Sequence, residues 1–104
     1  MSGDGILIVR AEVRDTERDA FDTWYQEEHL AEALELFNAT RAWRSWSKVE
    51  DGVHYAFYMF PDVQAALAIL NSNALKRLID TFDKTWGDRV KRSRDVTEVS
   101  QYLG

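Results

Sequence analysis

The feature that most constrains this chain is Asp51-Gly52, because it separates two runs that read as strands. Upstream, Phe37 to Val49 is rich in β-branched and aromatic residues without helical periodicity; downstream stands Val53-His54-Tyr55-Ala56-Phe57-Tyr58-Met59-Phe60. Asp-Gly suits a two-residue hairpin loop, whose type I′ turn needs positive φ at both central positions. Such a loop pairs Glu50 with Val53, Lys48 with Tyr55, Trp46 with Phe57 and Arg44 with Met59. Strand alternation then places Arg44, Trp46, Lys48, Tyr55, Phe57 and Met59 on one face. The other face takes Trp43, Ser45, Ser47, Val49, His54, Ala56, Tyr58 and Phe60, and its small residues leave room for a pocket under a helix layer. A bulge in the upstream strand would swap part of this assignment.

The flanking segments supply the rest of the architecture. Gly5 to Val13 reads as a first strand. Asp15 or Thr16 can cap a helix in which Phe21, Trp24, Tyr25 and Glu28 recur at i, i+3, i+4, i+7. Leu30 and Leu34 fall nearly opposite that stripe, so a bend or register change is expected near His29 and Leu30, with a short continuation to Leu36. After the hairpin, Pro61 and Asp62 open a second helical region carrying Val63, Ala66, Leu67 and Leu70, interrupted by Asn71-Ser72-Asn73. Leu75, Leu78, Ile79 and Phe82 resume the pattern, Trp86-Gly87 closes it, and Arg89 to Leu103 alternates as a last strand.

The order β, α, β, β, α, β predicts one α+β domain over residues 1–104, ferredoxin-like, with a four-stranded antiparallel sheet and helices on one face. The opposite face is then bare and apolar, carrying first-strand residues with Trp46, Phe57 and Met59. A patch of that kind marks an interface, and the commonest symmetric solution is a homodimer with two sheets face to face.

Composition removes several functional classes. A net charge of -5 disfavours nucleic acid and anionic membrane surfaces as partners. Arg89, Lys91, Arg92 and Arg94 do gather near the end, but acidic residues interrupt them and they read as a solvated strand face. With no cysteine there is no disulfide, thiolate nucleophile or Cys-ligated metal. The first residues lack the pattern of a leader and no long apolar run occurs, so the expected compartment is cytoplasmic. The four Trp, four Tyr and five Phe exceed what a small core usually requires, so a pocket or a partner is expected to share them.

Trp24-Tyr25-Gln26-Glu27-Glu28-His29-Leu30 resembles the W-Y-x-x-E-H motif in the first helix of dimeric α+β barrel proteins, particularly EthD-like ones. Trp86-Gly87-Asp88-Arg89-Val90 extends the resemblance loosely along the chain. Members often carry proline soon after His-Leu, where this chain has Ala31, so a softer bend is expected. The resemblance implies a barrel of two sheets with a small-molecule cavity between each subunit's sheet and helices. Chemistry in the superfamily includes cofactor-free oxygenation, polyketide cyclisation, lactone isomerisation and, in distant branches, haem reactions; other members have no known activity. The fold alone selects none of these.

Three residues are candidates for chemistry. An imidazole ordinarily titrates near neutrality, so His29 could exchange a proton at an apolar cavity; the alternative is a structural histidine at a helix bend. Glu28, on the aromatic stripe, is a candidate acid or base, or else a salt-bridge partner of Arg41 or Arg44. Tyr58 could steady an oxyanion. Trp24, Tyr25, Trp43, Ser45 and His54 are candidates for the pocket lining, against plain core packing for the aromatics and a half-exposed hairpin end for His54. Two histidines 25 positions apart make no recognised metal spacing, and no glycine-rich phosphate loop occurs, so neither metal nor nucleotide cofactor is expected. Together these features suggest a small cofactor-independent enzyme of oxygenase, cyclase or isomerase type, acting on an aromatic or polyketide-like molecule. The alternatives are a non-catalytic protein binding a small hydrophobic ligand, and a dimer filled by its own side chains.

Overall fold

The computed structural model describes residues 3–104; Met1 and Ser2, part of the segment read above for a leader, lie outside the described residues. Strand β1 (Gly5–Val13) leads through a 3₁₀ turn at Asp15–Glu17 into α1 (Arg18–Trp24), a π turn (Tyr25–His29) and α2 (Leu30–Phe37). Strands β2 (Arg41–Trp46) and β3 (Val53–Phe60) follow, then α3 (Val63–Ile69), α4 (Asn73–Thr85) and β4 (Val90–Glu98). The sheet is antiparallel in the order β2-β3-β1-β4, the arrangement expected of the split βαβ order. Among the described residues no helix is long and apolar enough to cross a membrane.

Local chemistry explains the helix boundaries. Asp62 caps α3 by accepting the Ala65 amide proton at 2.8 Å, and Ser72 caps α4 by accepting that of Leu75 at 3.1 Å. Gly87, at φ 55°, lets the chain leave α4 towards β4. The predicted cap at Asp15 or Thr16 does not form; Asp15 pairs instead with Arg18 at 2.6 Å. The last strand ends at Glu98 rather than Leu103, and the Tyr102 hydroxyl donates to Asp4 at 2.8 Å beyond it.

The first helical region buries Phe21, Tyr25, His29, Ala33 and Phe37, one residue in every four. At 3.6 residues per turn a four-residue repeat drifts by about 40° at each step, so an unbroken α-helix could not keep all five against the sheet. The π turn at Tyr25–His29 takes up one extra residue and restores the alignment. This is the register change expected near His29. It also corrects the predicted stripe, because the wider turn rotates Glu28 out to solvent and gives its place to His29.

The hairpin is wider than Asp-Gly implied. Ser47 Oγ accepts the amide protons of Val49 and Glu50 at 3.1 and 2.9 Å, so the chain leaves the ladder at Ser47 and re-enters at Val53. Trp46 therefore pairs with His54, Arg44 with Ala56 and Trp43 with Phe57. The shift from the predicted register is an odd number of residues, which exchanges the two faces of β2. Ala42, Arg44 and Trp46 lie under the helices with His54, Ala56, Tyr58 and Phe60, whereas Arg41, Trp43 and Ser45 share the open face with Tyr55, Phe57 and Met59.

What holds β2 in this register is one carboxylate. Asp22 Oδ1, on α1, accepts from Arg44 Nη1 and Trp46 Nε1, each at 2.7 Å. Arg44 also donates to Gln26 Oε1 at 2.8 Å, so both inward polar side chains of β2 are fastened to the first helix. The Arg44 and Trp46 bonds hold the Asp22 carboxyl below its usual range, against a smaller opposing effect of burial.

Gly52 closes the loop at φ 77°, and a Cβ there would stand 2.6 Å from the Val13 carbonyl oxygen. Gly87 has positive φ but open space around its Cα. Gly52→Ala is expected to lose about 2–3 kcal/mol in urea denaturation and Gly87→Ala about 1 kcal/mol. Equal losses would show that backbone conformation alone, and not the approach to Val13, fixes glycine at 52.

Candidate functional site

Between sheet and helices lies a small chamber to which three elements deliver polar groups. The π turn supplies Tyr25 and His29, β3 supplies Tyr58, and β4 supplies Arg92 and Arg94. Its apolar wall includes Val9, Phe37, Leu75, Leu78 and Phe82. The cavity volume is about 20 Å³, room for roughly one water molecule.

His29 is buried, with its ring stacked on Trp24 at 4.2 Å between centroids and meeting Tyr25 edge-on at 4.9 Å. Its Nδ1 has no hydrogen-bond partner among the described residues; Glu32 Oε1 lies at 3.7 Å, beyond hydrogen-bond reach. Burial lowers its pKa to about 4, and the positive charge of Arg92 acts in the same direction. The imidazole is neutral at pH 7.

Tyr25 and Tyr58 are buried beside it. Burial pushes the Tyr25 phenol up to about 12, while a hydrogen bond from Tyr58 opposes the rise. Burial raises Tyr58 further, and the neighbouring Tyr25 oxygen adds to that effect. Both are phenols at any physiological pH and can donate hydrogen bonds.

His54 stands behind Tyr25, at 4.6 Å between ring centroids, and is fully buried, not half-exposed at a hairpin end. Arg44 Nη1 lies 3.3 Å from its Nε2. A guanidinium can only donate, so Nε2 accepts and the proton sits on Nδ1, which has no acceptor among the described residues. Burial lowers this pKa also to about 4; Arg44 acts with it and Asp22 against it.

The structure thus brings together Tyr25, His29 and Tyr58, with Trp24 backing His29. It leaves four sequence candidates outside the chamber, one of them His54 behind Tyr25. Trp43 and Ser45 are on the open face because of the register shift, and Glu28 is exposed because of the π turn. Arg92 and Arg94, read from sequence as a solvated face, occupy the inner face of β4 opposite Ala11 and Val9. The alternation Val90, Arg92, Arg94, Val96 was the signal that could have placed them. Among the described residues no three His, Asp or Glu side chains gather as a metal-ligand group.

Both histidines are neutral when folded and would take up protons near pH 6.5 when unfolded, so the unfolded state binds more protons below that value. Stability is expected to be flat above about pH 6.5 and to fall towards pH 4, by up to about 1.4 kcal/mol per pH unit for each histidine. The part due to Asp22 is lost at lower pH, as its depressed carboxyl protonates. Urea denaturation of wild type and His29→Asn at pH 7.5 and 5.0 checks this: the variant should lose less between the two, and equal stability of wild type at both would contradict it.

No protein-family model matches this sequence, and no curated protein matches it either. Solved structures do match. A NIPSNAP family protein of unknown function from Agrobacterium tumefaciens has a TM-score of 0.70 at 8% identity, over 97% of this chain and 92% of that one. SnoaB from Streptomyces nogalater, a cofactor-independent oxygenase, has a TM-score of 0.64 at 12% identity over 96% of each chain. An EthD family protein from Bacillus halodurans has a TM-score of 0.63 at 12% identity, over 91% of this chain and 97% of that one. At such identities the likeness is one of fold, and the fold of this chain is that of the dimeric α+β barrel proteins.

Proposed function

We propose that the protein is a homodimeric α+β barrel, each subunit of which acts without a cofactor on a small aromatic or polyketide-like molecule at the Tyr25–His29–Tyr58 chamber, as an oxygenase, cyclase or isomerase. The observation that carries this reading is the neutral, buried His29 whose Nδ1 has no partner among the described residues. A free lone pair or N–H in an apolar setting suits proton exchange with an acidic phenol or an activated C–H group. Tyr25 would donate to the oxygen on which charge develops, and the hydrogen bond that Tyr58 donates to Tyr25 would strengthen it as a donor. His29 is a weak base while the chamber lacks a negative charge; an anion forming beside it would offset desolvation of the imidazolium and raise its basicity. The likeness to SnoaB supports the cofactor-independent form of the reading.

The chamber is small, and this favours a second reading. A volume of about 20 Å³ admits no aromatic ring unless side chains of α4 such as Leu78 and Phe82 move aside. A protein whose chamber stays closed is a structural dimer with no turnover. A thermal-shift panel of phenols, quinones and polyketide mimics separates the two. Stabilisation of wild type that is lost in His29→Ala supports the chamber as a ligand site, and turnover assays follow with that ligand. No stabilisation by any compound favours the structural dimer.

The dimer rests on the open sheet face. Trp43 stacks on Phe57 at 5.3 Å, Phe57 on Tyr55 at 6.0 Å, and Met59 and Ile8 remain partly exposed alongside. A depression of about 500 Å³ on this face is lined by Ile6, Trp43 and Met59 and would receive the partner's side chains. Sedimentation should give twice the chain mass for wild type, and Phe57→Glu should shift it to monomer; a monomeric wild type at high micromolar concentration would count against the barrel.

A further inference from the structure

Arg92 and Arg94 are costly residues to place on an inner sheet face. Arg92 has a side chain 16% exposed; its guanidinium lies 3.7 Å from the Phe82 ring centroid and donates to Asp83 at 3.0 Å. Arg94 is half-buried, forms no salt bridge among the described residues, and has a buried Nε without an acceptor. Buried cations are normally paired, and an unmet guanidinium donor forfeits a strong charge-assisted bond. Both arginines line the chamber that holds His29 and the two tyrosines, and Asp83 neutralises one of them. One uncompensated positive charge therefore stands at a cavity whose other polar groups are neutral or, for Arg92, paired.

We infer that Arg92 and Arg94 form an anion-recognition pair, so that the ligand of this chamber is a planar apolar acid bound through its carboxylate. The inference rests on the chamber being a ligand site and adds the class of ligand. A carboxylate fits because the rigid fork of a guanidinium matches its two oxygens. Arg94 Nε supplies a free donor, and the mutual repulsion of the two guanidinium groups is relieved by an anion near both. The apolar wall of Val9, Phe37 and Phe82 selects a hydrophobic body behind that head. Glu32, half-exposed beyond His29 Nδ1, is the neighbouring carboxylate that such a ligand must clear.

The test is calorimetric titration of the full chain with benzoate, benzamide and acetate, using wild type, Arg94→Gln and Arg94→Lys, with circular dichroism to confirm that each variant is folded. Benzoate should bind wild type, weaken with added salt, and lose about tenfold or more in affinity in Arg94→Gln, with partial recovery in Arg94→Lys. Benzamide and acetate, lacking the charge and the ring respectively, should each bind far more weakly. Benzamide binding as well as benzoate would overturn the anion pair while leaving the chamber as a ligand site. Failure of benzoate and benzamide alike would overturn both readings. Undiminished benzoate binding in Arg94→Gln, or a loss of dimer in that variant with binding retained, would overturn the assignment of Arg94 to the ligand.

Discussion

One oxygen atom decides which way β2 faces. Asp22 Oδ1 receives both the Arg44 guanidinium and the Trp46 indole N–H, and those two residues are inward on β2 because the register with β3 makes them so. Were the strand slipped by one residue, Trp43 and Ser45 would lie under the helix and the Asp22 carboxylate would lose its partners. The same arrangement encloses His54 between Phe21, Tyr25 and Trp46 and sets its tautomer through Arg44. First helix, edge strand and core histidine are therefore one linked polar unit inside an aromatic shell. Replacing any one member leaves another with a buried polar group unmet.

The chamber beside that unit differs from it in a single respect. Asp22, Arg44 and Trp46 meet one another's hydrogen bonds, leaving only His54 Nδ1 of that unit without a partner among the described residues, whereas around His29 the unmet atoms border a cavity. Among the described residues His29 Nδ1 and Arg94 Nε are both buried without a partner. Unmet polar atoms in a native interior are few, and those that persist call for a reason beyond packing. Their convergence on one cavity, together with two phenols and a second arginine, is the physical content of the site.

Much of the architecture was legible in the sequence because it depends on patterns that packing cannot easily override. Strand alternation in Val53–Phe60, the helix start at Pro61-Asp62, the break at Asn71-Ser72-Asn73 and glycine at 87 each reported a boundary correctly. The β2 faces were not legible. Asp-Gly pointed to a tight turn, whereas Ser47 captured two amides and widened the loop, and only the distant Asp22 discriminates between the registers. The site was partly legible: His29 and Tyr25 stood out as residue types, while Glu28 was misplaced because a helical wheel assumes a regular helix. Arg92 and Arg94 were obscured by their charge, which argues for solvent unless the neighbouring Val90 and Val96 are counted first.

The π turn carries a consequence for how such a chain can vary. It holds one residue more than an α-helix needs, so Tyr25–His29 behaves as an insertion frozen into a regular element. Removing one residue there would leave a smooth helix with better backbone geometry, yet every side chain from Leu30 to Phe37 would rotate by about 100° relative to α1. Ala33 and Phe37 would leave the sheet, and the imidazole would lose its place against Trp24. Length in this segment is thus far less tolerant of change than residue identity, and drift in sequence can proceed widely around it as long as the count is kept.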